Sequence, residues 1–248
     1  MDTMQAYLHI PFCKRKCAYC DFASRTGCEE WMAPYAAAIR REIALRAAEY
    51  GPLSLDTVYI GGGTPSIFPP DLLKDILNSL FEAFPKKPGA EVTCEANPGT
   101  LTEPFLRLLR KQGVNRLSLG AQAGQDRLLR TLGRIHTWEE VEASVRLARQ
   151  EGFENINLDL MFGLPGQTGE DWRETLQMAL ALAPQHLSCY GLILEEGTPL
   201  YDRAASGNLS LPEEAEERAM YEDARLLCTQ AGLGSMKYEL VDVLPVEQ

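Results

Sequence analysis

Six times along this chain a short run rich in β-branched, aromatic or leucine residues is followed by a longer amphipathic stretch. The runs are Tyr7–Ile10, Thr57–Ile60, Glu91–Cys94, Arg116–Leu119, Asn155–Leu160 and His186–Leu192. Strands joined by helix-length connections pair in parallel, because a tight hairpin can only join antiparallel neighbours. The chain is therefore predicted to be α/β with a parallel sheet. Six units fall short of a closed eight-fold barrel, so the pattern is compatible with a partial barrel and with a doubly wound sheet.

The helical stretches carry their own punctuation. In PPDLLKDILNSLFEAFP the apolar residues Leu72, Leu73, Ile76, Leu77, Leu80, Phe81 and Phe84 recur at three- and four-residue spacing, and Pro85 closes the stripe. Thr137 with Glu140 reads as a capping box, and Gly152 stands where that helix should stop. Thr102 and Gly113 bracket another helix in the same way. GLPGQT reads as a turn with Gly163 and Gly166 as backbone hinges. After Leu200 the character changes: Pro212 and the Glu213–Glu217 run open a helix reaching about Gln230, and the glutamates are expected on a solvated face. A boundary near 205/206 divides a core, 1–205, from a helical extension, 206–248.

Charge excludes one class of partner. The chain has 24 basic against 35 acidic residues, a formal net charge of −11, and no long basic run. Nucleic-acid binders carry a positive footprint, so no nucleic-acid partner is expected. No apolar run approaches the ~18–20 residues a transmembrane helix needs. The opening MDTMQAYLHIPF lacks the charged and apolar regions of a secretory leader, and a cytoplasmic location is expected.

Three of the seven cysteines crowd into HIPFCKRKCAYCDF as Cys13, Cys17 and Cys20. In a reducing compartment, clustered thiols hold metal more often than they form disulfides. Three thiolates on one loop can hold three irons of a [4Fe–4S] cluster and leave the fourth iron open to a cofactor. Lys14, Arg15 and Lys16 favour the thiolate forms. A structural zinc site with His9 as fourth ligand is the competing reading. Cys28, Cys94, Cys189 and Cys228 are expected to pack as small apolar side chains.

With Tyr19 before its last cysteine, this triplet resembles that of the radical S-adenosylmethionine (SAM) superfamily. YLHIPFC, GGGTPS, EANPGT, NRLSLGAQ, LGRIH, NLDLMFGLPGQT and LSCYGLILEEGTPL narrow the likeness. Together they resemble the oxygen-independent coproporphyrinogen III oxidase family, in particular its haem-chaperone (HemW) branch, from Tyr7 to about Tyr238. The resemblance implies a partial (β/α)6 TIM-like barrel with a C-terminal helical extension, a [4Fe–4S] cluster on Cys13, Cys17 and Cys20, and SAM. It also implies reductive cleavage of SAM to methionine and a 5′-deoxyadenosyl radical.

Each polar motif falls at the C-terminal end of a predicted strand, where α/β barrels build their sites. Gly61, Gly62 and Gly63 let backbone approach a ligand closely. By resemblance, Gly62, Gly63 and Thr64 meet the amino group of SAM. Glu95, Gln122, Arg134 and Asp159 line the same pocket, with Tyr7, Tyr19 and Ile193 as further contacts. Read without the family, Arg134 is equally a helix-end surface cation and Asp159 a loop cap. His136 is expected to be a surface residue at a helix start.

Two functions follow from the family: haem delivery to client proteins, or radical decarboxylation of coproporphyrinogen III. The oxidases carry a fourth cysteine shortly after the third and a longer N-terminal extension. Here Asp21 and Phe22 follow Cys20, and six residues precede Tyr7, which is the chaperone form. The implied partners are haem or a porphyrinogen, haem-accepting client proteins and an electron donor. In the chaperones the chain continues through a segment like YEISNFA into a domain tied to haem handling. Here Tyr238 and Glu239 lead into LVDVLPVEQ, so a shortened member lacking that domain is expected, with cluster and SAM binding retained.

Overall fold

A computed structural model describes residues 2–234; positions 235–248, Tyr238 and Glu239 among them, lie outside the described residues. The strands are β1 (Thr3–Ile10), β2 (Ser54–Gly62), β3 (Lys86–Ala96), β4 (Arg116–Gln122), β5 (Asn155–Phe162) and β6 (His186–Gly191), in that order in one sheet. The helices are α1 (Met32–Tyr50), α2 (Pro70–Ala83), α3 (Glu103–Lys111), α4 (Asp126–Thr131), α5 (Trp138–Gln150), α6 (Gly169–Ala181), α7 (Pro199–Ala205) and α8 (Glu214–Gln230). All six predicted runs are strands. β1 starts earlier than its apolar run because pairing continues through Thr3 and Met4, opposite Ser54 and Leu55. Backbone hydrogen bonding does not require an apolar side chain.

Local signals set the helix ends. Thr102 Oγ1 accepts from Phe105 N at 3.4 Å at the start of α3. Thr137 N donates to Glu140 Oε2 at 2.9 Å and Glu140 N to Thr137 Oγ1 at 3.4 Å, the reciprocal cap of α5. Such a cap contributes about 1 kcal/mol. Gly113 and Gly152 both take positive φ beyond the helices they follow.

The described chain resolves into two compact units. The first comprises residues 2–16, 22–118 and 144–155. Its strands β1, β2 and β3 pair in parallel, with Val58 opposite Val92 and Ile60 opposite Cys94. α1 lies on α2, whose Leu73, Ile76 and Leu77 are fully buried. The second comprises 17–21, 119–143 and 156–234. There β5 pairs in parallel with β6, and Leu128, Leu129, Leu132, Met161, Leu164 and Leu200 form a core. α8 docks on α6, where buried Trp172 donates through Nε1 to the Met220 carbonyl at 2.7 Å.

Two expectations about exposure need correction. Cys94 and Cys189 are buried, but Cys28 and Cys228 are half-buried. Glu217 is not on the solvated face with its neighbours: its side chain lies against Gly163 and Gly191, so a Cβ at Gly191 would come within 2.7 Å of Glu217 Oε1. No helix among the described residues is long and apolar enough to cross a membrane.

Candidate cofactor site

In the first unit the glycine loop is fastened to the start of the cysteine loop. Gly63 N donates to the Ile10 carbonyl and Thr64 N to the Phe12 carbonyl, each at 2.8 Å. Cys13 N donates to the Arg25 carbonyl at 2.9 Å, and Thr64 Oγ1 donates to Cys13 Sγ at 3.5 Å. The glycines have steric reasons. A Cβ at Gly61 would stand 2.7 Å from Glu95 Oε2, one at Gly62 2.4 Å from His9 Nδ1, and one at Gly63 2.7 Å from the Phe12 carbonyl oxygen. Gly62 also has φ +110°, open to glycine and costly for other residues.

Glu95, at the end of β3, accepts from Gly62 N at 3.0 Å and from Tyr59 Oη at 2.8 Å. Tyr7 is 60% exposed and donates through its hydroxyl to His9 Nδ1 at 3.2 Å. His9 Nε2 donates to the Ala23 carbonyl at 2.8 Å. Both ring nitrogens of His9 are thus hydrogen-bonded.

In the second unit, Ala18 N donates to the Leu132 carbonyl and Leu200 N to the Ala18 carbonyl, both at 2.8 Å. These bonds pin the segment bearing Cys17, Tyr19 and Cys20. Arg134 reaches the same segment: Nη1 donates to Cys17 Sγ at 3.5 Å and Nη2 to the Gly120 carbonyl at 2.6 Å. Tyr19 is hydrogen-bonded to Arg134, and burial pushes its phenol above the usual range. Arg134 is therefore built into the site and is no loose surface cation. Gln122 takes φ +67°, and its Oε1 accepts from Tyr190 Oη at 3.0 Å. Asp159 Oδ1 accepts from Asn157 Nδ2 at 2.7 Å, and Ile193 is 53% exposed.

His136 departs from expectation. It is 4% exposed, with Nε2 donating to the Ala121 carbonyl at 3.2 Å. The Arg134-Ile135-His136 segment runs beside the end of β4, so the imidazole is covered although Ile135 is exposed. Burial, and then the Arg134 charge, push its pKa down to about 4.

A radical SAM superfamily profile matches residues 7–179. The chain belongs to the radical SAM superfamily. It is 41% identical over 218 residues to the heme chaperone HemW of Bacillus subtilis, covering 88% of this chain and 58% of that protein. Against the heme chaperone HemW of Synechocystis it is 40% identical over 233 residues, covering 92% of this chain and 56% of that one. The chain thus spans little more than half the length of these curated relatives. Among solved structures, the coproporphyrinogen III oxidase HemN of Escherichia coli, described as a radical SAM enzyme, superimposes with a TM-score of 0.84. The identity is 28%, over 93% of this chain and 53% of that one. The resemblance drawn from the motifs holds, and the fold is the α/β partial (β/α)6 TIM-like barrel of radical SAM proteins.

Two of the three triplet cysteines carry a feature that suits the group this superfamily implies. None of the seven cysteines is in a disulfide, and Cys13 and Cys17 each receive a hydrogen-bond donor at sulfur. Donors of this kind stabilise thiolates. The glycine loop in the first unit is buried at Gly61 and Gly62 and packs so closely on Glu95, His9 and the Phe12 carbonyl that any Cβ would collide with them. Among the described residues no three His, Cys, Asp or Glu side chains are drawn together as a metal-binding group. Tyr59, Asn157 and Tyr190 were not singled out from sequence, although each holds a predicted contact in place. The signal for Tyr190 was the alternation His186, Ser188, Tyr190 along β6.

Proposed function

We propose that this chain is the cluster- and SAM-binding part of a HemW-like haem chaperone. The observation that carries the reading is the pair of donors at sulfur, Thr64 on Cys13 from the loop after β2 and Arg134 on Cys17 from the segment after α4. Cys13, Cys17 and Cys20 hold a [4Fe–4S] cluster. Gly62, Gly63, Thr64, Glu95, Gln122, Arg134 and Asp159 bind SAM, with Tyr7, Tyr19 and Ile193 at its margins. When bound, the pair supplies one-electron cleavage of the SAM sulfonium. The residues of the chain do the rest. Glu95 fixes the Gly62 amide, Arg134 ties the cysteine segment to β4, and the glycines let their loop close onto Glu95, His9 and the Phe12 carbonyl.

Residues 1–205 are the core, and α8 belongs to a helical extension that starts at residue 206. The cellular location is the cytoplasm. Haem is the cargo, client proteins receive it, and a reductant serves the cluster. A second reading, coproporphyrinogen III dehydrogenase, draws support from the TM-score of 0.84 to HemN. Anaerobic reconstitution with iron and sulfide, followed by SAM, a low-potential reductant and coproporphyrinogen III, separates the two. Intact porphyrinogen, with haem retained on the protein and passed to an apo-protein acceptor, is the expected result. Loss of carbon dioxide from the porphyrinogen, read by mass spectrometry, selects the dehydrogenase.

A further inference from the structure

Strand β6 carries a pattern that the cofactor reading leaves without a role. Its sequence His186-Leu187-Ser188-Cys189-Tyr190 alternates polar residues on one face with Leu187 and Cys189 on the other. The parallel register sets His186 opposite Asn157, Ser188 opposite Asp159 and Tyr190 opposite Met161. Asn157 is 1% exposed, and its amide oxygen is engaged by that face. Its Oδ1 meets His186 Nδ1 and accepts from Ser188 Oγ at 3.1 Å, while its Nδ2 donates to Asp159 Oδ1 at 2.7 Å.

Chemistry fixes the direction of this chain of bonds. An ionised carboxylate only accepts, so Asn157 must turn its NH2 toward Asp159. Its oxygen then faces His186, and the imidazole must carry its proton on Nδ1. One step along β6, Tyr190 Oη donates to Gln122 Oε1 at 3.0 Å. Burial and the nearby Asp159 charge push the Tyr190 phenol well above the usual range, so it stays a donor. The residue so tethered has a backbone of its own kind: the φ of +67° at Gln122 is uncommon for a residue with a side chain.

We propose that His186, Ser188 and Tyr190 form a positioning ladder for SAM: through Asn157 it orients Asp159, and directly it orients Gln122. The ladder rests on the reading of Asp159 and Gln122 as SAM contacts.

Two measurements test it. The chain has three histidines, so their tautomers can be read one by one from ring 15N shifts at mildly alkaline pH. His9 and His136 donate to carbonyls through Nε2 and are expected as Nε2–H, whereas His186 is expected as Nδ1–H. An Nε2–H proton on His186 overturns the ladder, with or without cofactor present. The second measurement is equilibrium dialysis of SAM against the reconstituted protein and its Tyr190→Phe and Ser188→Ala variants. Tyr190→Phe keeps the ring and removes only the hydroxyl, and is expected to weaken SAM binding about tenfold at unchanged cluster content. Affinities equal to the parent in both variants remove the ladder and leave the SAM reading standing. A parent protein with a full cluster and no SAM binding removes both.

Discussion

One guanidinium links a cysteine to the end of a strand: Arg134 Nη1 lies 3.5 Å from Cys17 Sγ while Nη2 donates to the Gly120 carbonyl at 2.6 Å. Only a planar fork can serve two acceptors at fixed angles, and a lysine ammonium cannot replace it. Arg134→Lys keeps the charge and loses the geometry. It is expected to weaken SAM binding by on the order of tenfold, the effect of about 1.4 kcal/mol. Unchanged dialysis curves would show that the charge alone matters.

Gly62 is held by two constraints at once. Its φ of +110° strains any other residue, and a Cβ would stand 2.4 Å from His9 Nδ1. Gly62→Ala is expected to cost about 2–3 kcal/mol in urea unfolding, from backbone strain and the displaced imidazole together. Gly89, with φ +79° and nothing within 4 Å of its Cβ position, isolates the first term. Gly89→Ala should cost about 1 kcal/mol. Equal costs for the two variants would remove the steric argument.

The proposed ligand set divides the cysteines. Cys13→Ser, Cys17→Ser and Cys20→Ser are each expected to abolish the visible absorbance of the reconstituted cluster and to strip most of its iron. Cys28→Ala should leave both at the parent level, since Cys28 lies outside the triplet. Iron and sulfide assays after desalting provide the readout. Full iron in any one of the three serine variants would move that cysteine out of the ligand set.

His136 gives the fold a pH dependence of defined sign. Unfolded, its imidazole protonates near the ordinary 6.5; folded, burial and the Arg134 charge hold it down to about 4. A depressed imidazole leaves the unfolded chain holding more protons, so stability falls as pH drops. The contribution is complete above about pH 6.5, declines below it and is gone near pH 4, a span on the order of 3 kcal/mol. His136→Gln keeps a donor for the Ala121 carbonyl and has no proton to gain. Its unfolding free energy should fall less steeply with acidification than the parent's; parallel pH curves would contradict this.

Much of the architecture was legible because its causes are local. The alternation of strand runs with apolar helical stripes decided the α/β class and located all six strands. Thr102 and Thr137 announced their helices because a cap bonds only to its own first turn. The spacing of Cys13, Cys17 and Cys20 kept three thiols on one short loop, whatever packed around it. Tertiary structure alone decided which polar groups are covered and by whom. Nothing near His136 in sequence marked it for burial; the carbonyl end of β4 covers it. Glu217 left its solvated neighbours because Gly163 and Gly191 make room for it. Tyr59 on Glu95, Tyr190 on Gln122 and Asn157 between His186 and Asp159 depend on parallel register and on distant strands coming together. Periodicity fixes which face a residue occupies, but its hydrogen-bond partner is set by the element that packs there, and that pairing is a property of the folded chain.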